Sequence, residues 1–380
     1  MSNKFENLKH LNTVYKKNVK DKCKKYTNIS NKHELPACPR IVVIGDLHGD
    51  YNQTIESLKI ADLIDYKDND VNWIGRDTVV VQVGDQIDRC RDLPCSRELD
   101  DDENSDIKIL KLFTNLHNQA IKTGGAVYSI IGNHELMNVD GRMEYVSRMN
   151  IDNFEEKEEN KEFLNRKPKK LVDMDARKWA FKPGNPLAEF LACTRKLSLK
   201  IGKSLFVHAG ILKEISSDYK ISNLNQILSL YLLKKLKKPQ EYIDVLGPDL
   251  LKENIKAYTG LNKKKTHKPN CQGSDCFHIS PLWNRKIGNI DDTEEHCNEL
   301  LTKVFEDYGV DRMIVGHTPQ IYSGITSKCN GRIWFVDYGS SNAFNIADNI
   351  FQVTNQRSQS RETQVLEILN DGQTVNVIKK

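Results

Sequence analysis

Six residues with oxygen or imidazole donors stand out along the chain: Asp46, His48, Asp85, Asn133, His208 and His317. None is a thiolate, so the set suits zinc, iron or manganese in a reactive centre rather than a structural cysteine-rich zinc site. Asp46 and His48 are two positions apart and can turn towards one ion. Asp85 is the candidate to bridge two ions, and Asn133, His208 and His317 would complete the second. Two divalent ions carry four positive charges, of which Asp46 and Asp85 cancel two. The excess attracts a phosphate dianion and helps deprotonate a bridging water, the nucleophile of in-line displacement in sites with metals about 3.5–4 Å apart. His134, beside Asn133, is free of metal in this scheme. With Asp88 stabilising its imidazolium, it would be a general acid for the leaving group. Arg89 and Arg285 are candidates to hold the non-bridging phosphate oxygens through charge-assisted bonds.

These residues follow a series of short apolar runs. Ile41-Val42-Val43-Ile44 stops at Gly45-Asp46-Leu47-His48, and the run Thr78 to Val83 stops at Gly84-Asp85. Ala126 to Ile131 stops at Gly132-Asn133-His134, Leu205-Phe206-Val207 at His208, and Met313-Ile314-Val315 at Gly316-His317. Runs of this kind bounded by glycine read as strands buried on both faces. Residues 52–64 and 106–122 carry apolar side chains at helical spacing between them. Strands alternating with helices predict an α/β layered architecture, with ligands at the carboxyl ends of the strands. A lone glycine-aspartate pair after a strand is usually only a turn. Five such motifs in order carry the metal-site reading.

Residues 1–39 read as a basic extension and 40–380 as a catalytic domain with two insertions, at about 150–195 and 211–275. The first opens on a charge run read as a solvated helical face. The second holds a leucine-rich amphipathic helix or pair and then a polar loop, and together the insertions are candidates to cap the strand edge. The tail alternates apolar and polar residues on both sides of Asn370-Asp371-Gly372, a hairpin signal at a sheet edge.

The chain of 380 residues has a net charge of +4. Its first 39 residues hold nine lysines against three acids, so the rest is slightly acidic. A basic leader can touch nucleic acid or acidic lipid, but a solvated helix or tail is the plainer reading, and nucleic acid is not an expected partner. No apolar run approaches the roughly 20 residues of a membrane span. No secretory signal is evident, so a cytoplasmic location is the expectation. Nine cysteines in a chain of this size read as reduced thiols. The pairs Cys90/Cys95 and Cys271/Cys276, the latter near His278, read as ordinary loop cysteines. His117, His267 and His296 lie off the strand ends and read as structural or surface residues, and Trp283 as packing.

The motifs GDLHGD, GDQIDR, GNHE, HAG and GHTP resemble those of the calcineurin-like metallophosphoesterase superfamily, over about residues 40–345. Within it they are similar to the phosphoprotein phosphatase branch and look most like the bacterial-type, Shewanella-like phosphatases. The resemblance implies an α/β/β/α sandwich and two divalent or mixed-valence metal ions (Mn, Fe or Zn). It implies Asp46, His48 and Asp85 on the first ion and Asp85, Asn133, His208 and His317 on the second. His134 with Asp88 would act as acid, and Arg89 and Arg285 would bind phosphate. It further implies a phosphomonoester hydrolase acting on phosphoprotein or phosphopeptide, at phosphotyrosine or at phosphoserine/threonine. The chain departs from the pattern at Cys90, where the family usually has glycine, so the loop after Arg89 need not follow it. Ile130-Ile131 before Gly132 and Ala209 after His208 differ from the eukaryotic Ser/Thr enzymes. Pro319 replaces the second histidine of nuclease and phosphodiesterase branches. Two alternatives stand beside this reading, a dinucleoside polyphosphate hydrolase and an inactive binding module. Glu135 leans against the first, and the intact ligand set against the second.

Overall fold

A computed structural model describes residues 2–26, 32–68, 70–91, 95, 102–237, 239–247, 279–344 and 361–380. Its strands are β1 (Glu34–Leu35), β2 (Arg40–Ile44), β3 (Ile64–Lys67), β4 (Asp70–Trp73), β5 (Val79–Gln82), β6 (Ala126–Ile130) and β7 (Arg195–Lys196). They continue with β8 (Ser198–Ile201), β9 (Ser204–Val207), β10 (Arg312–Val315), β11 (Thr326–Lys328), β12 (Ile333–Phe335), β13 (Gln364–Leu369) and β14 (Thr374–Lys379). The main helices are α1 (Ser2–Lys22), α2 (Tyr51–Ile60), α3 (Asp106–Ala120), α4 (Asn133–Val139), α5 (Asp173–Phe181), α6 (Pro186–Thr194), α7 (Lys213–Ser216), α8 (Ile221–Leu232), α9 (Ile243–Leu246) and α10 (Glu294–Tyr308).

The strands form two six-stranded sheets, ordered β14-β13-β2-β5-β6-β7 and β1-β8-β9-β10-β12-β11. Strands β2, β5, β6 and β7 run parallel in the first, as do β9, β10 and β12 in the second. Side chains alternate across a strand, and the apolar runs use both faces. Ile41 and Val43 of β2 and Val81 of β5 meet Phe206 of β9 and Ile314 of β10 in a core between the sheets. Val42, Ile44 and Val80 face the other way, onto α2 and α3. Leu205, Val207, Met313 and Val315 pack outward against the helices that cover the second sheet. The result is the expected α/β/β/α layering.

The C-terminal hairpin pairs Leu369 with Thr374 around Asn370-Asp371-Gly372, and β13 adds antiparallel to β2. Helix α2 ends four residues earlier than its apolar spacing predicts. Asp62 adopts a left-handed φ of 55°, and Ile64 starts the β3–β4 hairpin, paired with Trp73. The predicted helix over 106–122 appears as α3, followed by a 3₁₀ turn over Ile121–Thr123.

Three expectations change. The basic leader is not a solvated tail: Leu11, Tyr15, Val19 and Cys23 recur every fourth residue, and this stripe is buried in the core beneath α6 and α8. Exposed Lys16, Lys17 and Lys22 carry its charge outward. The cysteines do not read as scattered thiols, because the fold brings distant ones together. Disulfides join Cys23 to Cys193 and Cys297 to Cys329, and a local one joins Cys90 to Cys95. Cys271, Cys276, His267 and His278 lie outside the described residues.

Nor do the insertions roof the strand edge among the described residues. The charge run holds a 3₁₀ turn, Glu158–Phe163, that buries Asn160 and Phe163, while α8 packs behind the second sheet against α1, α6 and β8. No helix among the described residues is long and apolar enough to cross a membrane.

A candidate dinuclear metal site at the strand ends

The loops leaving β2, β5, β6, β9 and β10 bring Asp46, His48, Asp85, Asn133, His208 and His317 together, all of them buried. Their backbone is unusual. His48, Asp85, Asp88 and His317 have φ of 44°, 50°, 73° and 68°. This left-handed region is unfavourable for residues with a Cβ and persists only where the surroundings enforce it. Here they do. Leu47 and His48 both donate N–H to the Asp85 carbonyl at 2.9 Å. The Glu135 carboxylate, at the start of α4, accepts from the N–H groups of Asp85 (3.1 Å), Gln86 (2.7 Å), Ile87 (3.3 Å) and Gly132 (2.6 Å). Burial and the Asp85 charge push Glu135 up to about 7, against the pull of these N–H groups. Two glycines make room for the carboxylates: a Cβ on Gly132 would lie 2.1 Å from Asp85 Oδ1, and one on Gly316 2.1 Å from Asp46 Oδ1.

Asp85 is the hub. Its Oδ2 lies 3.3 Å from His208 Nε2 and 3.9 Å from both His48 Nε2 and His134 Nε2. Asn133 Oδ1 is 2.9 Å from His208 Nε2 and from His317 Nδ1. His208 Nδ1 faces the Val83 carbonyl at 2.9 Å, which leaves Nε2 for an ion. The ligand atoms fall into two metal-capable groups, His48/Asp85/His134 and Asp85/His208/His317, with Asp85 in both. A third, Asp292/Cys297/Cys329, has its sulfurs bonded to each other.

Asp46 accepts the His317 N–H at 3.0 Å through Oδ2, but Oδ1 is buried without a donor. Beside it stands Asp337, at the end of β12, whose Oδ1 accepts from Gly339 N–H at 3.0 Å and whose Oδ2 is likewise buried without a donor. Burial, then Asp337 and Asp85, hold the Asp46 carboxyl well above its usual range, and burial pushes Asp337 up to about 6. Although burial raises Asp85 too, His208, His134 and His48 hold it well below the usual range. Burial holds His48 and His317 well below the usual imidazole range, with Arg91 and His208 adding to the effect at each, whereas Asp85 raises His208 against its burial. Three buried carboxyl groups, the buried imidazoles of His48, His208 and His317, and two carboxylate oxygens lacking donors fit divalent cations. Asp337 escaped the sequence reading, although an apolar run ending at Asp337-Tyr338-Gly339 carries the same signal as the other motifs.

His134 Nδ1 lies 2.8 Å from Asp88 Oδ2. The predicted arginines divide. Arg89 is turned into the protein, where its Nη1 pairs with Asp50 Oδ2 at 3.1 Å, and it does not line the cleft. Arg91 does. It contacts His48 Nδ1, donates to the carbonyls of Asp88 (3.0 Å) and Cys90 (2.8 Å), and lies over the rings of Phe344 and Tyr145. The cause is Cys90, buried where the family usually has glycine. It donates N–H to the Tyr145 carbonyl at 2.9 Å and is bonded to Cys95, so the next residue turns back to the cleft. Arg285 stands at the rim, donating to the His317 carbonyl at 2.8 Å. The cleft, about 290 Å³, is walled by Tyr145, Trp283 and Phe344, with Arg142 also at its edge. Trp283 is thus cleft wall. His117 is buried and structural, 2.8 Å from the Val127 carbonyl through Nδ1.

The calcineurin-like phosphoesterase profile matches residues 39–320. An uncharacterized protein of Acanthamoeba polyphaga mimivirus is 31% identical over 282 residues, covering 68% of this chain and 94% of that protein. Shewanella-like protein phosphatase 2 of Arabidopsis thaliana is 28% identical over 347 residues, 84% of this chain and 76% of its own. Among solved structures, the cold-active protein-tyrosine phosphatase of a psychrophilic Shewanella species superposes with a TM-score of 0.56 at 20% identity, covering 92% of this chain and 82% of that one.

Proposed function

The chain belongs to the calcineurin-like phosphoesterase family, and from that premise we propose that it is a phosphomonoesterase acting on phosphoproteins, with phosphotyrosine as its preferred side chain. The observation that carries the reading is the sharing of Asp85 between two metal-capable groups, one of which also contains His134, whose Nδ1 faces Asp88. Asp46, His48 and Asp85 would hold one cation, and Asp85, Asn133, His208 and His317 the other. Bound manganese, iron or zinc there supplies Lewis acidity to the phosphoryl oxygens and makes a water nucleophilic at neutral pH.

The chain's own groups do the rest. Arg91 and Arg285 hold non-bridging phosphoryl oxygens, while Arg89, paired with Asp50, keeps the two ligand loops together. Asp88 fixes the His134 Nδ1–H, so Nε2 presents its proton to the leaving oxygen. The aromatic walls at Tyr145, Trp283 and Phe344 fit the phenyl ring of phosphotyrosine.

The test is phosphate release by manganese-loaded protein from a phosphotyrosine peptide, a phosphoserine/threonine peptide and a dinucleoside tetraphosphate. Turnover is expected on the phosphotyrosine peptide and is abolished in Asp85→Asn. Preference for the dinucleotide would replace the reading by nucleotide hydrolysis, and wild-type inertness on all three would refute phosphatase function.

A further inference from the structure

Arg177, on α5, is fully buried, and every nitrogen of its guanidinium is engaged near the acid pair. Nε donates to Asn138 Oδ1 at 3.0 Å, Nη1 to the Asn150 carbonyl at 3.3 Å, and Nη2 to Asp106 Oδ2 at 2.7 Å. The rings of Phe181 and Phe154 lie beside it, 5.1 and 5.8 Å from their centroids. The groups it touches hold Asp88. Asn138 Nδ2 donates to Asp88 Oδ1 at 2.9 Å, and Asp106 Oδ1 accepts the Asp88 N–H at 3.2 Å.

We propose that Arg177 is a positioning residue for leaving-group protonation, fixing Asp88 against His134 through Asn138 and Asp106. The proposal rests on the reading of His134 as general acid. Arginine has donors and no acceptor, so Asn138 must turn its carbonyl towards Arg177 and its amide N–H₂ towards Asp88. Asn138 Nδ2 also donates to the His134 carbonyl at 3.0 Å, so Arg177, on the amide oxygen, completes an orientation that Asp88 and His134 set from the other side. Arg177 also anchors Asp106, which holds the N–H of Asp88 in its left-handed conformation.

Charge points the same way. Asp88 and Asp106 are both fully buried, and Arg177 Nη2 lies 2.7 Å from Asp106 Oδ2 and 3.8 Å from Asp88 Oδ1. A buried ion pair adds little net stability over well-packed apolar groups, so stability alone does not account for it. The segment 150–195, which resembles an insertion, thus reaches the acid pair from behind.

The experiment compares wild type, Arg177→Gln, Arg177→Lys, Asn138→Ala and His134→Ala on a series of aryl phosphates of increasing phenol pKa and on a phosphoserine peptide. General acid catalysis is worth roughly 10²–10⁴. Arg177→Gln and Asn138→Ala should therefore lose roughly 10- to 100-fold in kcat on the poorest leaving groups and less than about threefold on the most acidic phenol, with KM and metal content unchanged. Arg177→Lys should recover part of the loss. Equal loss on every leaving group, a change in KM alone, or no loss would overturn the proposal. Should Arg177→Gln fail to fold, Asn138→Ala decides on the same series. A downfield His134 Nδ1 proton, assigned in zinc-loaded protein by its absence in His134→Ala, separates the two levels. Wild-type inertness on every substrate refutes the functional reading, whereas an unchanged proton resonance in both variants refutes the positioning.

Discussion

Arg89 and Arg91 are two positions apart and occupy opposite environments. Arg89 has 1% of its surface exposed and pairs with Asp50, whereas Arg91 faces the cleft between Tyr145 and Phe344. Arg91→Ala should raise KM for a phosphotyrosine peptide roughly 10- to 100-fold, the worth of a hydrogen bond to a charged group of about 1.5–3 kcal/mol. Its thermal midpoint should fall less than that of Arg89→Ala. Arg89→Ala leaves a buried carboxylate unpaired and should destabilise by about 3–5 kcal/mol. Thermal melts and steady-state kinetics on both variants check this, and the opposite pattern would return phosphate binding to Arg89. The motif identifies the local sequence but not which arginine turns inward, because that depends on the Cys90 N–H reaching Tyr145, 55 residues away in the chain. Arg177 was illegible for a similar reason. It lies in a charge-rich stretch, and only the fold shows that its partners are Asn138 and Asp106.

At the scale of elements, the strand ends and the covering helices α2 and α3 were legible, and the role of α1 was not. Strands β2, β5, β6, β9 and β10 announce themselves because side chains on both faces are buried, which leaves continuous apolar runs that stop at a polar loop. Helix α1 hides its role, since its lysines dominate the composition while Leu11, Tyr15 and Val19, with Cys23 just past its end, are buried in the core. The Cys23–Cys193 bond ties it to α6 across 170 residues of chain. Cys23→Ser should lower stability by about 2–4 kcal/mol, the usual worth of a disulfide. No described residue of α1 lines the cleft, so kcat of the folded variant should be unchanged. Denaturant melts beside phosphatase assays test this. A fall in kcat without loss of stability would mean that α1 acts on the site instead of the fold.

At the scale of the whole molecule, the candidate site joins the two sheets. Asp46, His48, Asp85 and Asn133 leave strands of the first sheet, and His208 and His317 leave β9 and β10 of the second. Under the proposed assignment, one cation takes all its ligands from the first sheet, whereas the other takes Asp85 and Asn133 from the first and His208 and His317 from the second. Binding to the native state alone stabilises it by about 2.7 kcal/mol at a hundredfold excess over Kd. In this chain a bound cation would also relieve the apposition of Asp46 and Asp337, each of which has a buried oxygen without a donor. Chelation should therefore lower the thermal midpoint by several degrees, and manganese should restore it. The two cations should not contribute equally. Only the one held by both sheets resists their separation, so His317→Ala should remove most of the metal-induced rise and His48→Ala a smaller part. Melts of each variant with and without metal, paired with metal counts by mass spectrometry, measure the difference. Equal losses in the two variants at equal metal content would mean that the sheets are held by the core of Val43, Phe206 and Ile314 alone, with the cations serving chemistry only.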